Sequence, residues 1–294
     1  MKKTVIIIGV IALTGIRLMA QTNPIPVESG YIDVDGGKLY YESAGKGECL
    51  VLLHDGMVHS CIWDEQFMEF AKKYRVVRYD RRTYGKSSDP EKLYSHIEDL
   101  NQLFVQLKID KAVVFGMSSG GRLTIDFALK YPAKVKGLVL VGAVVGGFGY
   151  TQHMLTCGGR YFPKNYTNPD DVLKYFATED PYEIYFENKE VRQKVWNMLE
   201  SSKPSHDARE KGKITLARGA ERAAVKFLSE IKVPTLILVG EFDHPDVHAH
   251  AGVINSGIEG SKRVIILKSG HLIPMEQPAI FNETVYDFLN EFLL

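Results

Sequence analysis

The sequence predicts an α/β fold in which helices cover both faces of a mostly parallel, doubly wound sheet. Short, continuous apolar runs such as Cys49–His54 and Lys111–Gly116 are typical of strands that are buried on both faces. Segments with a helical spacing of apolar residues separate these runs. Strands that alternate with helices are joined by crossover connections, which place neighbouring strands parallel to one another.

The predicted elements follow this alternation after an opening hairpin. Tyr31–Val34 and Lys38–Ala44 have strand patterns, and Asp35-Gly36-Gly37 between them is typical of a tight turn. The further predicted strands are Cys49–His54, Arg75–Asp80, Lys111–Gly116, Gly137–Val145, Pro234–Val239 and Arg263–Leu267. The predicted helices are Ile62–Tyr74, Ser95–Leu107, Arg122–Tyr131 and Ala279–Leu293.

A segment of about 85 residues interrupts the alternation between two of the predicted sheet strands. Residues 146–230 are aromatic and polar, and they contain helical stretches without a convincing buried strand. A connection of this length without structure of its own is uncommon in a compact domain. We therefore expect a helical cap at 146–230, inserted into a core formed by residues 21–145 and 231–294.

The first twenty residues have the pattern of a secretory signal peptide. Lys2 and Lys3 precede the apolar run Thr4–Ile16, and the small residue Ala20 offers a cleavage point. The run is too short to span a hydrocarbon core of about 30 Å comfortably. We expect a periplasmic or secreted protein with no membrane contact after signal cleavage. An uncleaved membrane anchor stays open, since Arg17 is unusual in a cleavage region.

The composition excludes several classes of protein. Basic and acidic residues number 36 each, so the chain lacks the basic excess of a nucleic-acid-binding protein. The three cysteines are too few and too scattered for a disulfide framework or a zinc site. His244 and His248 have a spacing that can bind zinc, but a third convincing ligand is missing. We expect neither a metal nor a cofactor, and the composition leaves the oligomeric state open.

The strongest chemical signal follows the predicted strand Lys111–Gly116. Gly116-Met117-Ser118-Ser119-Gly120 matches the pattern G-x-S-x-G between a buried strand and a helix. A serine on such a sharp turn is held in strained backbone geometry that exposes its hydroxyl above the sheet. The small residues two before and two after Ser118 fit the close approach of strand and helix. The pattern predicts Ser118 as a nucleophile.

A serine nucleophile needs a base, and the base needs an acid that orients it. Asp243 follows the predicted strand Pro234–Val239, and His271 follows the predicted strand Arg263–Leu267. Both lie just past the carboxyl ends of strands, where open α/β sheets form their ligand crevices. The order Ser118, Asp243, His271 is that of one known hydrolase architecture. Asp246 stays open as an alternative acid.

Four blocks of the chain resemble the α/β-hydrolase superfamily, and the similarity runs from about residue 31 to the C terminus. They are LLHDGMVHSCIWDEQ (52–66), VVRYDRRTYGKSS (76–88), VVFGMSSGG (113–121) and VPTLILVGEFD…SGHLIPMEQP (233–278). The resemblance implies a nucleophile at Ser118, an acid at Asp243 and a general base at His271. Haloalkane dehalogenases and epoxide hydrolases of this fold use an aspartate nucleophile, so Ser118 argues against those activities.

The resemblance also implies an oxyanion hole. One backbone N–H comes from Ser119, which follows the nucleophile, and the other from the residue after a His-Gly pair. Here that pair reads His54-Asp55, so the second donor falls on Gly56, with Met57 as the second choice. The departure from Gly at position 55 alters the turn or places a carboxylate near the site. We expect His54 to hold the loop rather than to act in catalysis.

These inferences together predict a cofactor-free serine hydrolase that acts on a small-molecule ester, lactone or related carbonyl compound. Two alternatives stay open. One is cleavage of a carbon–carbon bond, or of an N-terminal residue as an aminopeptidase, by the same three residues. The other is a ligand-binding member that turns over slowly. Phe148 and Tyr150, at the start of the expected cap, are candidates for lining the substrate pocket.

Overall fold

The computed structural model describes residues 24–161, 189–201 and 213–293. Its centre is a single eight-stranded sheet with the strand order β1-β2-β4-β3-β5-β6-β7-β8. The strands are β1 Val27–Val34, β2 Gly37–Ala44, β3 Cys49–Leu53, β4 Arg75–Tyr79, β5 Ala112–Met117, β6 Val135–Val141, β7 Thr235–Gly240 and β8 Lys262–Ile266.

The sheet is mostly parallel, as the sequence predicts. β1 and β2 form an antiparallel hairpin, and β2 pairs antiparallel with β4. Every other neighbouring pair, from β4 through to β8, is parallel. The carboxyl ends of β3 to β8 therefore meet at one edge, and this edge carries the candidate site.

The helices cover the two faces of the sheet. They are α1 Asp64–Ala71, α2 His96–Gln106, α3 Ser119–Lys130, α4 Gln152–Tyr161, α5 Lys189–Ser201, α6 Pro245–Gly257, α7 Ile273–Glu276 and α8 Pro278–Asn290. Short 3-10 turns connect several of them, such as Ser60–Trp63 before α1. Ser95 caps the start of α2, where its side chain accepts a hydrogen bond from the Glu98 N–H.

The burial of both sheet faces explains the continuous apolar runs. Along β5, Val114 points into the hydrophobic cluster on one face, whereas Val113 and Phe115 point into the cluster on the other. All three side chains are fully buried. A central strand that alternates between two cores needs an apolar residue at every position, which is the pattern seen in the sequence.

Two predicted boundaries differ from the structure for local reasons. The predicted strand Gly137–Val145 ends at Val141, because Gly142 has a φ of +50° and turns the chain out of the sheet. The predicted helix Arg122–Tyr131 begins three residues earlier, at Ser119, directly after the turn that holds Ser118. The helix α6 was not expected from the apolar pattern.

The expected cap at 146–230 is described only in part. Its described residues form α4, α5 and short 3-10 turns. Val191, Val195 and Leu199 on one side of α5 are buried in the cluster that also contains Trp63. The cap as a separate unit stays a prediction, with 162–188 and 202–212 outside the described residues.

The predicted signal peptide, residues 1–20, also lies outside the described residues. Within the described ranges, none of the helices combines the length and the apolar character that crossing a bilayer requires.

Candidate active site

Ser118 lies on a strained turn between β5 and α3. Its backbone has φ 53° and ψ −116°, a conformation that L-residues rarely adopt. The Ser118 N–H donates to the Val141 carbonyl at 2.9 Å, and the Ser118 carbonyl accepts from the Arg122 N–H at 3.1 Å. These bonds fix the turn to the end of β6 and to the first turn of α3. Strain of this kind costs about 1–3 kcal/mol and is typical of functional positions.

The glycines of the G-x-S-x-G pattern allow this turn to form. A Cβ on Gly116 would lie 2.3 Å from the Thr124 Oγ1 and 2.5 Å from the Gly120 carbonyl oxygen. A Cβ on Gly120 would lie 2.3 Å from the His54 carbonyl oxygen. Strand β5, helix α3 and the loop after β3 therefore approach so closely that side chains at these two positions would collide with backbone atoms.

Asp243 and His271 are in direct contact. The Nδ1 atom of His271 lies 3.0 Å from Oδ1 and 2.9 Å from Oδ2 of Asp243, and both residues are buried. A carboxylate only accepts hydrogen bonds, so Nδ1 carries the proton and Nε2 of the neutral ring keeps its lone pair. The ring is therefore in the tautomer that a general base requires.

The surroundings of His271 act on its pKa in opposite directions. Burial disfavours the charged ring, but the charge of Asp243 and its hydrogen bond to Nδ1 outweigh burial. The net pKa of His271 lies above its usual value of 6.5. Asp243 also accepts a hydrogen bond from the His244 N–H at 2.8 Å, which fixes the carboxylate opposite the ring.

Gly142 links the serine turn to the His271–Asp243 pair. It directly follows Val141, whose carbonyl holds the Ser118 N–H. A Cβ on Gly142 would lie 2.7 Å from Cε1 and 2.8 Å from Nδ1 of His271. The backbone at the end of β6 therefore contacts both the Ser118 turn and the His271–Asp243 pair, and a direct contact between Ser118 and His271 stays a prediction. A glycine inside a strand pattern can indicate that another group approaches the backbone closely. The position of Gly142 within the predicted strand Gly137–Val145 is the sequence feature that points to its contact with His271.

Glu276 fixes the loop that carries His271. Its Oε2 accepts hydrogen bonds from the Gly270 N–H at 2.8 Å and from the Ser269 hydroxyl at 3.1 Å. Glu276 lies in α7 and is buried. No local sequence pattern predicts this role, because the contacts of Glu276 with Ser269 and Gly270 form only in the folded chain.

Asp246, the alternative acid, contacts a different part of the chain. Its carboxylate accepts from the Thr151 hydroxyl at 2.7 Å and from the Thr151 N–H at 2.5 Å.

Two histidines near Asp246 each accept a hydrogen bond from a different backbone N–H group. The Nδ1 atom of His244 accepts from the Asp246 N–H at 3.2 Å, and that of His250 accepts from the Val145 N–H at 3.0 Å. Among the described residues, no group of three or more histidine, cysteine, aspartate or glutamate side chains is arranged to hold a metal ion.

The loop after β3 differs from the resemblance at Asp55, and the structure shows the consequence. The Asp55 carboxylate accepts the Met57 N–H at 2.8 Å and the Val58 N–H at 2.9 Å. It is buried inside its own loop, where it satisfies these two donors. The Met57 N–H is thereby engaged within the loop, and the assignment of the second oxyanion donor to Gly56 stays a prediction. A Cβ on Gly56 would lie 3.0 Å from the Ser119 Oγ, so the loop is next to the start of α3.

His54 holds this loop to the segment after β4. Its Nδ1 donates to the Asp55 carbonyl at 2.8 Å, and its Nε2 accepts from the Arg81 N–H at 3.0 Å. The ring is fully buried, and burial together with the charge of Arg81 holds the pKa of His54 well below its usual value. A neutral ring with both nitrogens engaged is structural, as the sequence analysis expects.

Phe148 and Tyr150, the predicted pocket residues, both pack against His250. Their ring centroids lie 4.9 Å and 5.0 Å from that of the imidazole. Phe148 is half-buried against the core, and Tyr150 is 40% exposed. Their contact with a substrate stays a prediction.

Comparisons with known proteins agree with this fold. A sequence model described as the alpha/beta hydrolase fold matches residues 50–278, which is most of the chain. The chain is 30% identical over 280 residues to the 2-hydroxy-6-oxononadienedioate/2-hydroxy-6-oxononatrienedioate hydrolase of Escherichia coli strain K12. That match covers 86% of this chain and 91% of that protein.

Solved structures give the same result. The esterase EaEST from Exiguobacterium antarcticum superposes with a TM-score of 0.73 at 26% identity, over 90% of this chain and 100% of that one. Est816, described as an N-acyl homoserine lactone degrading enzyme, superposes with a TM-score of 0.70 at 26% identity, over 88% and 100%. By sequence and by structure, this chain belongs to the alpha/beta hydrolase fold family.

Proposed function

We propose that the protein is a serine hydrolase that cleaves an ester, a lactone or a related carbonyl compound through an acyl-enzyme on Ser118. The contact between His271 and Asp243 beside the strained Ser118 turn carries this proposal. A buried carboxylate that fixes the tautomer of an imidazole near a strained serine is the arrangement that acyl transfer requires. A small molecule is the proposed partner.

The first half of the reaction forms the acyl-enzyme. Nε2 of His271 takes the proton of the Ser118 hydroxyl as Oγ attacks the carbonyl carbon. The resulting imidazolium is stabilised by Asp243, which does not itself take the proton. Collapse of the tetrahedral intermediate breaks the bond to the leaving alkoxide, which receives the proton from His271.

The second half regenerates the enzyme. His271 removes a proton from a water molecule, the hydroxide attacks the acyl carbon, and Ser118 leaves with the proton returned by His271. In both halves the carbonyl oxygen becomes an oxyanion. We assign the Gly56 and Ser119 backbone N–H groups to hold this oxyanion. Loss of one such donor raises the activation barrier by about 3–4 kcal/mol.

Two kinds of relative support different substrates for the same residues. The likeness to EaEST and to Est816 favours an ester or a lactone. The likeness to the dienedioate hydrolase of Escherichia coli favours a 2-hydroxy-6-oxo-dienedioate, cleaved at a carbon–carbon bond, as the second candidate substrate. A carboxylate at position 55 would repel an anionic substrate if it faced the site. The Asp55 carboxylate instead points into its own loop, where it accepts two backbone hydrogen bonds.

A substrate panel separates these candidates. Nitrophenyl esters of increasing chain length, an acyl lactone and a 2-hydroxy-6-oxo-dienoate are each offered to the wild-type protein and to Ser118→Ala. The proposal expects many turnovers per wild-type molecule on the esters or the lactone, and none by Ser118→Ala. Faster turnover of the dienoate than of any ester would favour the second candidate. A stoichiometric burst without steady turnover would favour the slow ligand-binding alternative.

The N-terminal pattern supports export as part of this proposal. The basic pair Lys2-Lys3 and the apolar run Thr4–Ile16 are the features of a signal peptide. Expression of the full chain followed by intact-mass measurement tests it. Cleavage after Ala20 supports a periplasmic or secreted enzyme, whereas a full-length protein in the membrane fraction supports the uncleaved anchor.

A further inference from the structure

Arg81 contacts both elements that flank the proposed oxyanion hole. It follows β4, and its Nη2 donates to the Asp55 carbonyl and, at 3.1 Å, to the Ser119 Oγ. Asp55 precedes one proposed donor, Gly56, and Ser119 supplies the other from its own N–H. One guanidinium nitrogen therefore ties the loop after β3 to the start of α3. The side chain lies inside the protein, with the residue only 5% exposed.

The charge of Arg81 has no counter-ion in this structure's described residues. The neighbouring Arg82 forms a two-pronged pair with Asp99, at 2.8 and 2.9 Å. In contrast, no described carboxylate oxygen lies within 4.0 Å of the Arg81 guanidinium. Its Nε is buried without an acceptor in the described part of the chain, and its Cζ lies 4.9 Å from the centre of the Tyr84 ring. A buried cation without an anion is electrostatically costly, so negative charge that develops beside it is favoured.

We infer that Arg81 is a positioning residue for the oxyanion hole, which it assembles from two separate elements and places in a positive field. The inference rests on the proposed function. An oxyanion hole works only when both N–H groups lie about 2.7–3.1 Å from the developing oxyanion, so their relative position must be fixed. The Tyr84 hydroxyl, which donates to the Gly56 carbonyl at 3.0 Å, adds a second bond to the same loop.

This role predicts a particular kinetic signature. The oxyanion exists in the tetrahedral intermediate and not in the bound substrate, so Arg81 acts on the transition state more than on the ground state. Loss of Arg81 therefore lowers kcat and leaves KM nearly unchanged. A residue that only bound substrate would raise KM, and a residue that only held the fold would lower the melting temperature without a selective change in kcat.

The test compares matched arginine variants. Arg81→Met keeps the aliphatic stem and removes the charge and the donors, and we expect kcat to fall about 10- to 100-fold. Arg81→Lys restores the charge as a single ammonium, and we expect an intermediate kcat. Arg78→Met is the control, because Arg78 is half-buried and pairs with Glu42 and Asp64 rather than with Asp55 or Ser119. We expect its kcat to stay near that of the wild type even where its melting temperature falls.

A second variant keeps the inference testable if Arg81→Met does not fold. Ser119→Ala removes the hydroxyl that Arg81 contacts and keeps the backbone N–H. We expect a several-fold loss of kcat. In the folded double variant, the two losses should be less than additive, because both remove the same contact. The affinity for an alkyl boronic acid, which forms a tetrahedral adduct on serine, should fall in Arg81→Met by the same factor as kcat/KM.

The outcomes separate this inference from the function on which it rests. An active wild type together with folded Arg81→Met and Ser119→Ala proteins of unchanged kcat would overturn the inference alone. A rise in KM at constant kcat would overturn it too, in favour of substrate binding. Absence of all turnover and of boronate binding in the wild type would overturn the proposed function, and this inference with it.

Discussion

The Nδ1 atom of His271 lies 2.9 Å from Oδ2 and 3.0 Å from Oδ1 of Asp243, although 27 residues and two structural elements separate them in the chain. β7 ends just before Asp243, and the loop after β8 carries His271 to the same edge of the sheet. The backbone of Gly142 lies close to Cε1 and Nδ1 of the imidazole. The ring is therefore fixed in position and in tautomer before any substrate arrives.

Substitution of the acid separates Asp243 from Asp246. We expect Asp243→Asn to lower kcat by about 10⁴-fold, because an amide can stabilise the wrong tautomer of His271. Asp246→Asn should retain most of the activity, since its carboxylate holds Thr151 and not His271. Ester hydrolysis by the two purified variants at equal concentration measures the difference. The reverse result, an active Asp243→Asn beside an inactive Asp246→Asn, would move the acid to Asp246.

The raised pKa of His271 predicts the acidic limb of the activity profile. The neutral ring is the base, so activity is present above the folded-state pKa and is lost as pH falls through it. Because Asp243 holds that pKa above 6.5, kcat/KM should decline on the acidic side with an inflection above 6.5. The same interaction contributes stability that is full below the unfolded pKa and is lost as pH rises through the folded pKa. An inflection clearly below 6.5 would show that burial, and not Asp243, dominates.

A methyl group at Gly142 should disturb the catalytic pair directly. In Gly142→Ala the new Cβ would lie 2.7 Å from the His271 Cε1, and the φ of +50° disfavours any side chain there. We expect a loss of at least about 10-fold in kcat, together with a lower melting temperature. Gly149→Ala is the control, because a Cβ at the exposed Gly149 meets no atom of the described residues within 4 Å. Equal activities of the two variants would argue against close packing of Gly142 on the ring.

Thr83 is a strained position whose relief should stabilise the protein. It has a φ of +69°, which is unfavourable for a β-branched residue, and its buried Oγ1 has no partner among the described residues. We expect Thr83→Gly to raise the free energy of unfolding by about 1 kcal/mol. Relief of the backbone strain and removal of the unpaired hydroxyl outweigh the conformational entropy that glycine adds to the unfolded chain. Urea unfolding measures this change. Thr83→Ala, which keeps the Cβ, should recover only part of it, and a net loss in Thr83→Gly would show that the Thr83 side chain stabilises the turn.

Features that depend on a local sequence pattern can be predicted from the sequence, whereas contacts between distant elements cannot. The strands β3, β5 and β7 are predicted to within a few residues because burial on both faces imposes apolar residues at every position. The contact between Asp243 and His271 could be anticipated because their strands end at a shared sheet edge. The spacing of His244 and His248 favours the start of a helix there, but the weak apolar period of the histidine-rich segment does not predict the full length of α6. The contacts of Arg81 with Asp55 and Ser119 depend on three elements meeting, which no local pattern expresses.

The central claim is that Ser118 is a nucleophile activated by His271. Reaction of the folded protein with a fluorophosphonate, followed by peptide mass spectrometry, tests it most directly. The account predicts a single adduct on Ser118, none on Ser119, and a labelling rate that Asp243→Asn lowers far more than Asp246→Asn does. Unlabelled Ser118 in a folded wild-type protein, or an adduct on another residue, would contradict it.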